Sequence, residues 1–156
     1  AMTGRHFSAV SATRRYDVPQ SRRLWLDADL LTATSIANGD GSVVSSNDYI
    51  LEPAIPPHYA VTLRKSSSVE WEADASGGTE QVISVAGTWG YSATPPADIV
   101  QATLIIAVSY YRARYGADTS GPVTVTPAGI VLTDGSIPRP ALALITPYVR
   151  YSLAAA

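Results

Sequence analysis

The chain of 156 residues contains no cysteine, which excludes a disulfide framework, a thiolate metal site and a cysteine nucleophile. Histidine is scarce. His6 and His58 stand in no HxxxH, HxH or carboxylate-adjacent spacing, so both read as surface or loop residues and no metal site is expected. Lysine is nearly missing, since ten of the eleven basic residues are arginine and only Lys65 is not. The glycine patterns that cradle phosphate, GxGxxG and GxxxxGKS/T, do not occur, and Gly77-Gly78 lies in an acidic loop that suits phosphate poorly. No GxSxG elbow surrounds any serine. No apolar run approaches the roughly 18–20 residues of a membrane span. The segment Ala1 to Phe7 lacks a signal peptide's apolar stretch, so the expectation is a soluble protein without membrane partners and not visibly exported.

What remains is a chain with 46% hydrophobic and 15% charged residues, enough apolar matter and length for a single folding unit with a real core. The net charge of -2 argues against a binder held to nucleic acid by a broad phosphate-directed field. Its distribution is uneven. Ala1 to Arg23 holds Arg5, Arg14, Arg15, Arg22 and Arg23 against Asp17, whereas Leu24 to Leu63 holds Asp27, Asp29, Asp40, Asp48 and Glu52 with no Lys or Arg. Such blocks form neighbouring solvated faces of one monomer, or else they meet between subunits and orient assembly. The preference for arginine leans toward the second, because its planar fork holds interface contacts better than lysine does.

The first 90 residues read as β. Short β-branched or aromatic segments run near Ala12 to Val18, Arg23 to Asp27 and Leu31 to Ala37. Asn38-Gly39-Asp40-Gly41 turns the last of these toward Ser42-Val44, because Asn and Gly accept positive φ cheaply. Asp48 to Leu51 reads as another strand. Tyr59 to Arg64 and Val69 to Glu72 read as a hairpin around Lys65 to Ser68, and Gln81 to Trp89 as the strongest strand. Thr94-Pro95-Pro96-Ala97-Asp98 is a helix start, and the run from Ile99 to Tyr115, free of Gly and Pro, stops at Gly116. The spacing gives this helix two apolar stripes, one through Ile99, Thr103, Ile106 and Tyr110 and one through Leu104, Ala107, Val108 and Tyr111. A sheet covers one of them; the chain's own C-terminal part or a neighbouring subunit covers the other. A hairpin over Pro122 to Leu132, a short helix from Arg139 to Arg150 broken at Pro147, and a loose tail follow. The fold class is therefore α+β: short antiparallel strands and hairpins over about 12–90, packed on one long helix over about 95–115, then the C-terminal hairpin and short helix.

Candidate chemistry is thin. Asn38-Gly39-Asp40-Gly41-Ser42 lacks the Gly at the sixth and Glu at the twelfth position of a calcium loop. Asp27-Ala28-Asp29 puts two carboxylates on one side of an extended segment, and without a partner the pair reads as solvated. Trp25, Trp71 and Trp89 with nine tyrosines offer aromatic surface for core, interface or a sugar-binding face. No catalytic residues and no cofactor are assigned, and the expectation is a protein without enzymatic activity.

The stretch Ser84-Val85-Ala86-Gly87-Thr88-Trp89-Gly90-Tyr91-Ser92-Ala93-Thr94-Pro95-Pro96-Ala97-Asp98, continuing to Thr103 and to Tyr110-Tyr111-Arg112-Ala113-Arg114, resembles head-tail connector (adaptor) proteins of tailed bacteriophages. Thr3-Gly4-Arg5-His6-Phe7, Thr13 to Pro19, Leu24-Trp25-Leu26-Asp27, Ser35 to Gly41 and Asp48 to Leu51 follow the same pattern in order, and Pro140 to Arg150 resembles that family's C-terminal helix. The resemblance implies one connector-like domain over 1–156: a β-rich part (1–92), the long helix (93–116), and a C-terminal hairpin, short helix and tail (117–156). It implies a structural virion protein that forms a ring, commonly of twelve copies, beneath the portal protein at the capsid vertex. Such a ring meets tail, stopper or terminator proteins, passes DNA without sequence-specific binding, and assembles in the host cytoplasm. Family members usually carry N-terminal helices before the Thr-Gly-Arg-x-Phe segment, on which this chain almost begins. The expectation is that a helical layer has been removed or is supplied otherwise. Arg14, Arg15, Arg22 and Arg23, with Ile106, Tyr110 and Tyr111 on the long helix, are the expected subunit or portal contacts. The alternative is a monomeric β-rich module that binds carbohydrate or a host surface through Trp and Tyr on a strand face.

Overall fold

The computed structural model describes residues 2–115, 124–125, 131–132 and 137–150. The chain divides into two compact units, Arg5–Pro95 and Ala1–Gly4 with Pro96–Ala156.

The first unit is a five-stranded sheet built from β1 (Val10–Tyr16), β2 (Arg23–Ala37), β3 (Tyr49–Glu52), β4 (His58–Leu63) and β5 (Ile83–Trp89). The order is β1-β5-β2-β4-β3 and each neighbouring pair is antiparallel. β5 shows why these residues form strands: Ile83, Val85, Gly87 and Trp89 are buried while Ser84, Ala86 and Thr88 between them are not, the period-two pattern of a strand with one core face. Leu24, Leu26, Leu30, Ile36, Val44, Val61, Leu63, Ile83, Val85 and Trp89 form one continuous core.

β2 organises the sheet. Arg23, Leu24 and Trp25 pair with β4, Leu30 pairs with both β4 and β5, and Thr32 to Ala37 pair with β5. The register shifts between Trp25 and Leu30, between Leu30 and Thr32, and between Ala33 and Ser35. Such bulges bend a strand and raise its local twist. The two strands expected at Arg23 to Asp27 and Leu31 to Ala37 are thus one strand of fifteen residues.

In the second unit, α1 (Ala97–Tyr115) packs against α2 (Arg139–Ile145). Ala102, Ala141 and Ile145 are buried between them, with Ile99, Ile105, Ile106, Ile137 and Leu144 packed around. Alanines at the crossing let the two helices approach closely. A single 3-10 turn (Thr146–Tyr148) follows α2, and the Arg150 amide donates to the Thr3 carbonyl at 2.8 Å. β6 (Thr124–Val125) and β7 (Val131–Leu132) pair antiparallel. The rest of the expected C-terminal hairpin and the tail Tyr151 to Ala156 lie outside the described residues.

The expected architecture, hairpins over 12–90 packed on one long helix over 95–115, is overturned. The described chain is mainly an antiparallel sheet of five strands. Its core is drawn wholly from residues 24–89, and α1 buries apolar side chains against α2. The physical reason lies in β2, whose bends let the strands and the Val44, Val69 and Trp71 loops close over their own core. The pair Tyr59 to Arg64 with Val69 to Glu72 is corrected too, because Val69 to Glu72 joins no ladder. Side chains hold its backbone instead. Asn38 Nδ2 donates to the Glu70 carbonyl at 2.7 Å, Asn38 Oδ1 accepts from the Glu72 amide at 2.8 Å, and the Arg22 guanidinium donates to the Val69 carbonyl at 2.9 Å.

Candidate interaction surfaces

The basic and acidic blocks of the sequence meet inside the sheet unit. Arg5 Nη1 lies 2.8 Å from both carboxylate oxygens of Asp29, which is only 4% exposed. The same guanidinium lies 5.1 Å from the Tyr91 ring centre, and Phe7 meets that ring edge-on at 5.7 Å. The Tyr91 amide donates to the His6 carbonyl and the Gly90 amide to that of Asp29. Arg5-His6-Phe7 therefore meets Gly90-Tyr91 and Asp29 in space, held by an ion pair whose carboxylate is buried. Asp29→Ala removes the buried half of this ion pair and is expected to lower the stability of this unit by about 3 kcal/mol. Urea unfolding measures the loss; one below about 1 kcal/mol would class the pair with exposed bridges of little worth.

Arg14 Nη1 donates to Asp27 at 2.8 Å, and Arg14 Cζ lies 4.8 Å from the Trp89 ring centre. Tyr16 donates its hydroxyl to the same carboxylate at 2.5 Å. Burial, then that hydrogen bond, raises the Tyr16 phenol well above the ordinary tyrosine range. Asp27 and Asp29, expected as one solvated pair, thus serve separate sites, one exposed and one buried. Arg22 donates to the carbonyls of Arg64, Ser67 and Val69 at 2.7, 3.0 and 2.9 Å, which fixes the 64–69 loop. Arg23 is paired with Glu52 and donates to Thr62; its hydrogen bonds to the Glu52 carboxylate hold that group below the usual carboxylate range. Arg15 is exposed. Of the four arginines expected at interfaces, then, three have partners within the chain.

The three tryptophans divide by environment. Trp89 donates to the Ala12 carbonyl at 2.9 Å and Trp71 to that of Arg22 at 3.0 Å, so both serve the fold. Trp25 is 49% exposed, lies nearly parallel to the exposed Tyr59 ring at 5.9 Å, and carries the Arg23 guanidinium 5.2 Å from its ring centre. His58, expected at the surface or in a loop, is buried on β4, with Nδ1 2.6 Å from the Pro53 carbonyl oxygen; His6 is exposed. Among the described residues no three His, Asp or Glu side chains group as a metal site, and no helix is long and apolar enough to cross a membrane.

Among the described residues, α1 carries a run of exposed apolar side chains. Val100, Leu104, Val108, Tyr111 and Tyr115 are all exposed, Leu104 at 60% and Tyr111 at 66%. At 100° per residue these five fall within about 80° of arc, and Ala102 lies about 160° from their centre. One side of α1 is thus covered by α2, while the opposite side is apolar and open. Ile106 belongs to the α2-facing cluster, whereas Tyr110 and Tyr111 point outward. Tyr111 and Tyr115 rings lie 5.2 Å apart. The two sequence stripes have different environments: Ile99 and Ile106 of the first are packed toward α2, and Leu104, Ala107, Val108 and Tyr111 of the second are exposed. Val100 and Tyr115, missed as members of this surface, follow from extending the second stripe one turn in each direction. In comparisons with known proteins, no family model and no curated protein matches the chain.

Proposed function

We propose that this chain is a non-enzymatic assembly protein of the head-tail connector type, working as a ring between the portal vertex and the tail of a virion and letting DNA pass. The open apolar stripe on α1 carries this reading. Val, Leu and Tyr side chains left about half exposed at helical spacing gain about 1–2 kcal/mol each when buried, and a contiguous exposed patch of this kind marks an interaction surface. The ordered likeness to connector proteins supplies the identity of the assembly, a dodecamer by that likeness, with portal and tail or stopper proteins as neighbours. It also supplies the setting, host cytoplasm during assembly and the capsid neck afterwards. The test is the mass of the purified chain by light scattering across protein concentration and salt. A discrete large oligomer is the expected result, and a monomer throughout overturns the proposal. A second reading, a carbohydrate- or host-surface-binding module, has the exposed Trp25–Tyr59 stack in its favour. A monomer whose tryptophan fluorescence shifts with added glycan would favour it.

A further inference from the structure

The stripe on α1 has a charged border of one sign. Arg112 and Arg114 are exposed in the last turn of the helix, and at 100° per residue they fall on opposite sides of the stripe. Asp98, the helix's lone acid, lies about 120° from the stripe's centre and accepts a hydrogen bond from Tyr148 at 3.2 Å. Two copies of α1 laid parallel would bring arginines together. Laid antiparallel, each arginine pair would face the positive N-terminal end of the other helix, whose lone carboxylate, Asp98, stands off the stripe and already accepts from Tyr148. The occupant of this stripe must offer negative charge beside an apolar patch.

The sheet unit carries an acidic surface with an exposed valine beside it. Residues 66–95 include Glu70, Glu72, Asp74 and Glu80 and no Lys or Arg. Asn38 clasps the backbone at Glu70 and Glu72 and Gly39 packs on the Glu72–Ala73 backbone, which brings the turn that carries Asp40 to this segment. Asp40, Glu70 and Glu72 are exposed, and Val43, just beyond the turn, is 69% exposed. Hydrogen bonds from the Ser42 hydroxyl and amide hold the Asp40 carboxyl below the usual range. The units differ in charge accordingly. Residues 5–95 hold seven basic and ten acidic residues, and residues 1–4 with 96–156 hold four basic and three acidic.

We infer that the α1 stripe of one copy, with its Arg112 and Arg114 border, docks on the Asp40, Val43, Glu70 and Glu72 surface of the next copy. Two different surfaces then meet, so the contact is heterologous and propagates from copy to copy, which makes a ring where the rotation between copies closes. The inference rests on the assembly reading above and names the surfaces that perform it.

Two variants test it. One carries Arg112→Glu and Arg114→Glu, the other Glu70→Lys and Glu72→Lys. The fold uses the backbone of residues 70 and 72, not their carboxylates, apart from a 4.0 Å approach of Arg22 to the exposed Glu70. Each variant alone sets like charges against each other at every contact, and its self-association is expected to fall about tenfold or more at low salt. High salt should shrink that deficit to about twofold by screening. Mixing the two variants makes every alternating contact complementary again and is expected to restore the wild-type mass, which a misfolded variant would not do. If the wild type assembles and either variant assembles equally well, the contact lies elsewhere and the inference falls while the assembly reading stands. If the wild type is monomeric under all conditions, both fall.

Discussion

Gly87→Ala is expected to cost the sheet unit roughly 3 kcal/mol, at or above the upper end of the usual penalty for overpacking. Gly87 sits in the middle of β5, opposite Ala33 of β2, between the two register shifts that bend β2. A Cβ there would overlap the Thr32 carbonyl oxygen and lie 3.0 Å from Leu30 Cδ1. The carbonyl belongs to the backbone of the neighbouring strand and has no rotamer by which to retreat. Relief requires moving β2, the strand that pairs with both β4 and β5. For a unit of this size each kcal/mol corresponds to about 4–8 °C in midpoint, so a fall of about 12 °C or more in thermal unfolding is expected. Gly77→Ala is the matched control: its φ of +84° strains any other residue, but nothing lies within 4 Å of the new methyl. Its cost is expected near 1–2 kcal/mol. Equal midpoints for the two variants would contradict close strand packing at Gly87.

The strands were legible to different degrees for reasons that can be named. β5 alternates without interruption, so burial and period agree and the sequence reads directly. β2 does not. Its bulges place Leu26, Asp29 and Leu30 all in the interior, which breaks the period-two pattern and makes one strand look like two. Val69-Glu70-Trp71-Glu72 fails in the opposite sense. It alternates as a strand should, but alternation reports one buried side and says nothing about what satisfies the backbone. Here Asn38 and Arg22, more than thirty residues away, do so.

The candidate surfaces show the same limit. Charge blocks were plain in the sequence, but the pairing of Arg5 with Asp29, Arg14 with Asp27 and Arg23 with Glu52 depends on strand order. The β1-β5-β2-β4-β3 order has no local signature. Helical spacing likewise gave α1 two apolar stripes, and the assignment of one of them to the sheet failed because a stripe records that something covers it, not what. The small pair Ala102 and Ala141 marks the crossing with α2, and a contact between positions 39 residues apart has no periodic trace.

Leu104→Glu is expected to abolish self-association and leave the fold intact. Leu104 is 60% exposed and stands in the stripe between Val100 and Val108, so the isolated chain loses almost nothing when it becomes charged. Surface changes of this kind usually stay within about 0.5 kcal/mol. In the assembly the same side chain would be buried, and the substitution removes about 2 kcal/mol of transfer free energy while introducing a charge that must be desolvated. At 1.4 kcal/mol per factor of ten, the contact weakens by at least about thirtyfold, and a ring that repeats the contact at every subunit loses it everywhere at once. Ala102→Leu gives the opposite pattern from the opposite side of the same helix. Its added methyls meet the buried Ala141 and Ile145, which is expected to cost about 1–3 kcal/mol of stability in the helical unit. Light scattering and thermal unfolding on the two variants separate the faces. Unchanged mass for Leu104→Glu, with a wild type that assembles, would remove the stripe from the interface and leave the exposed apolar side of α1 without a role.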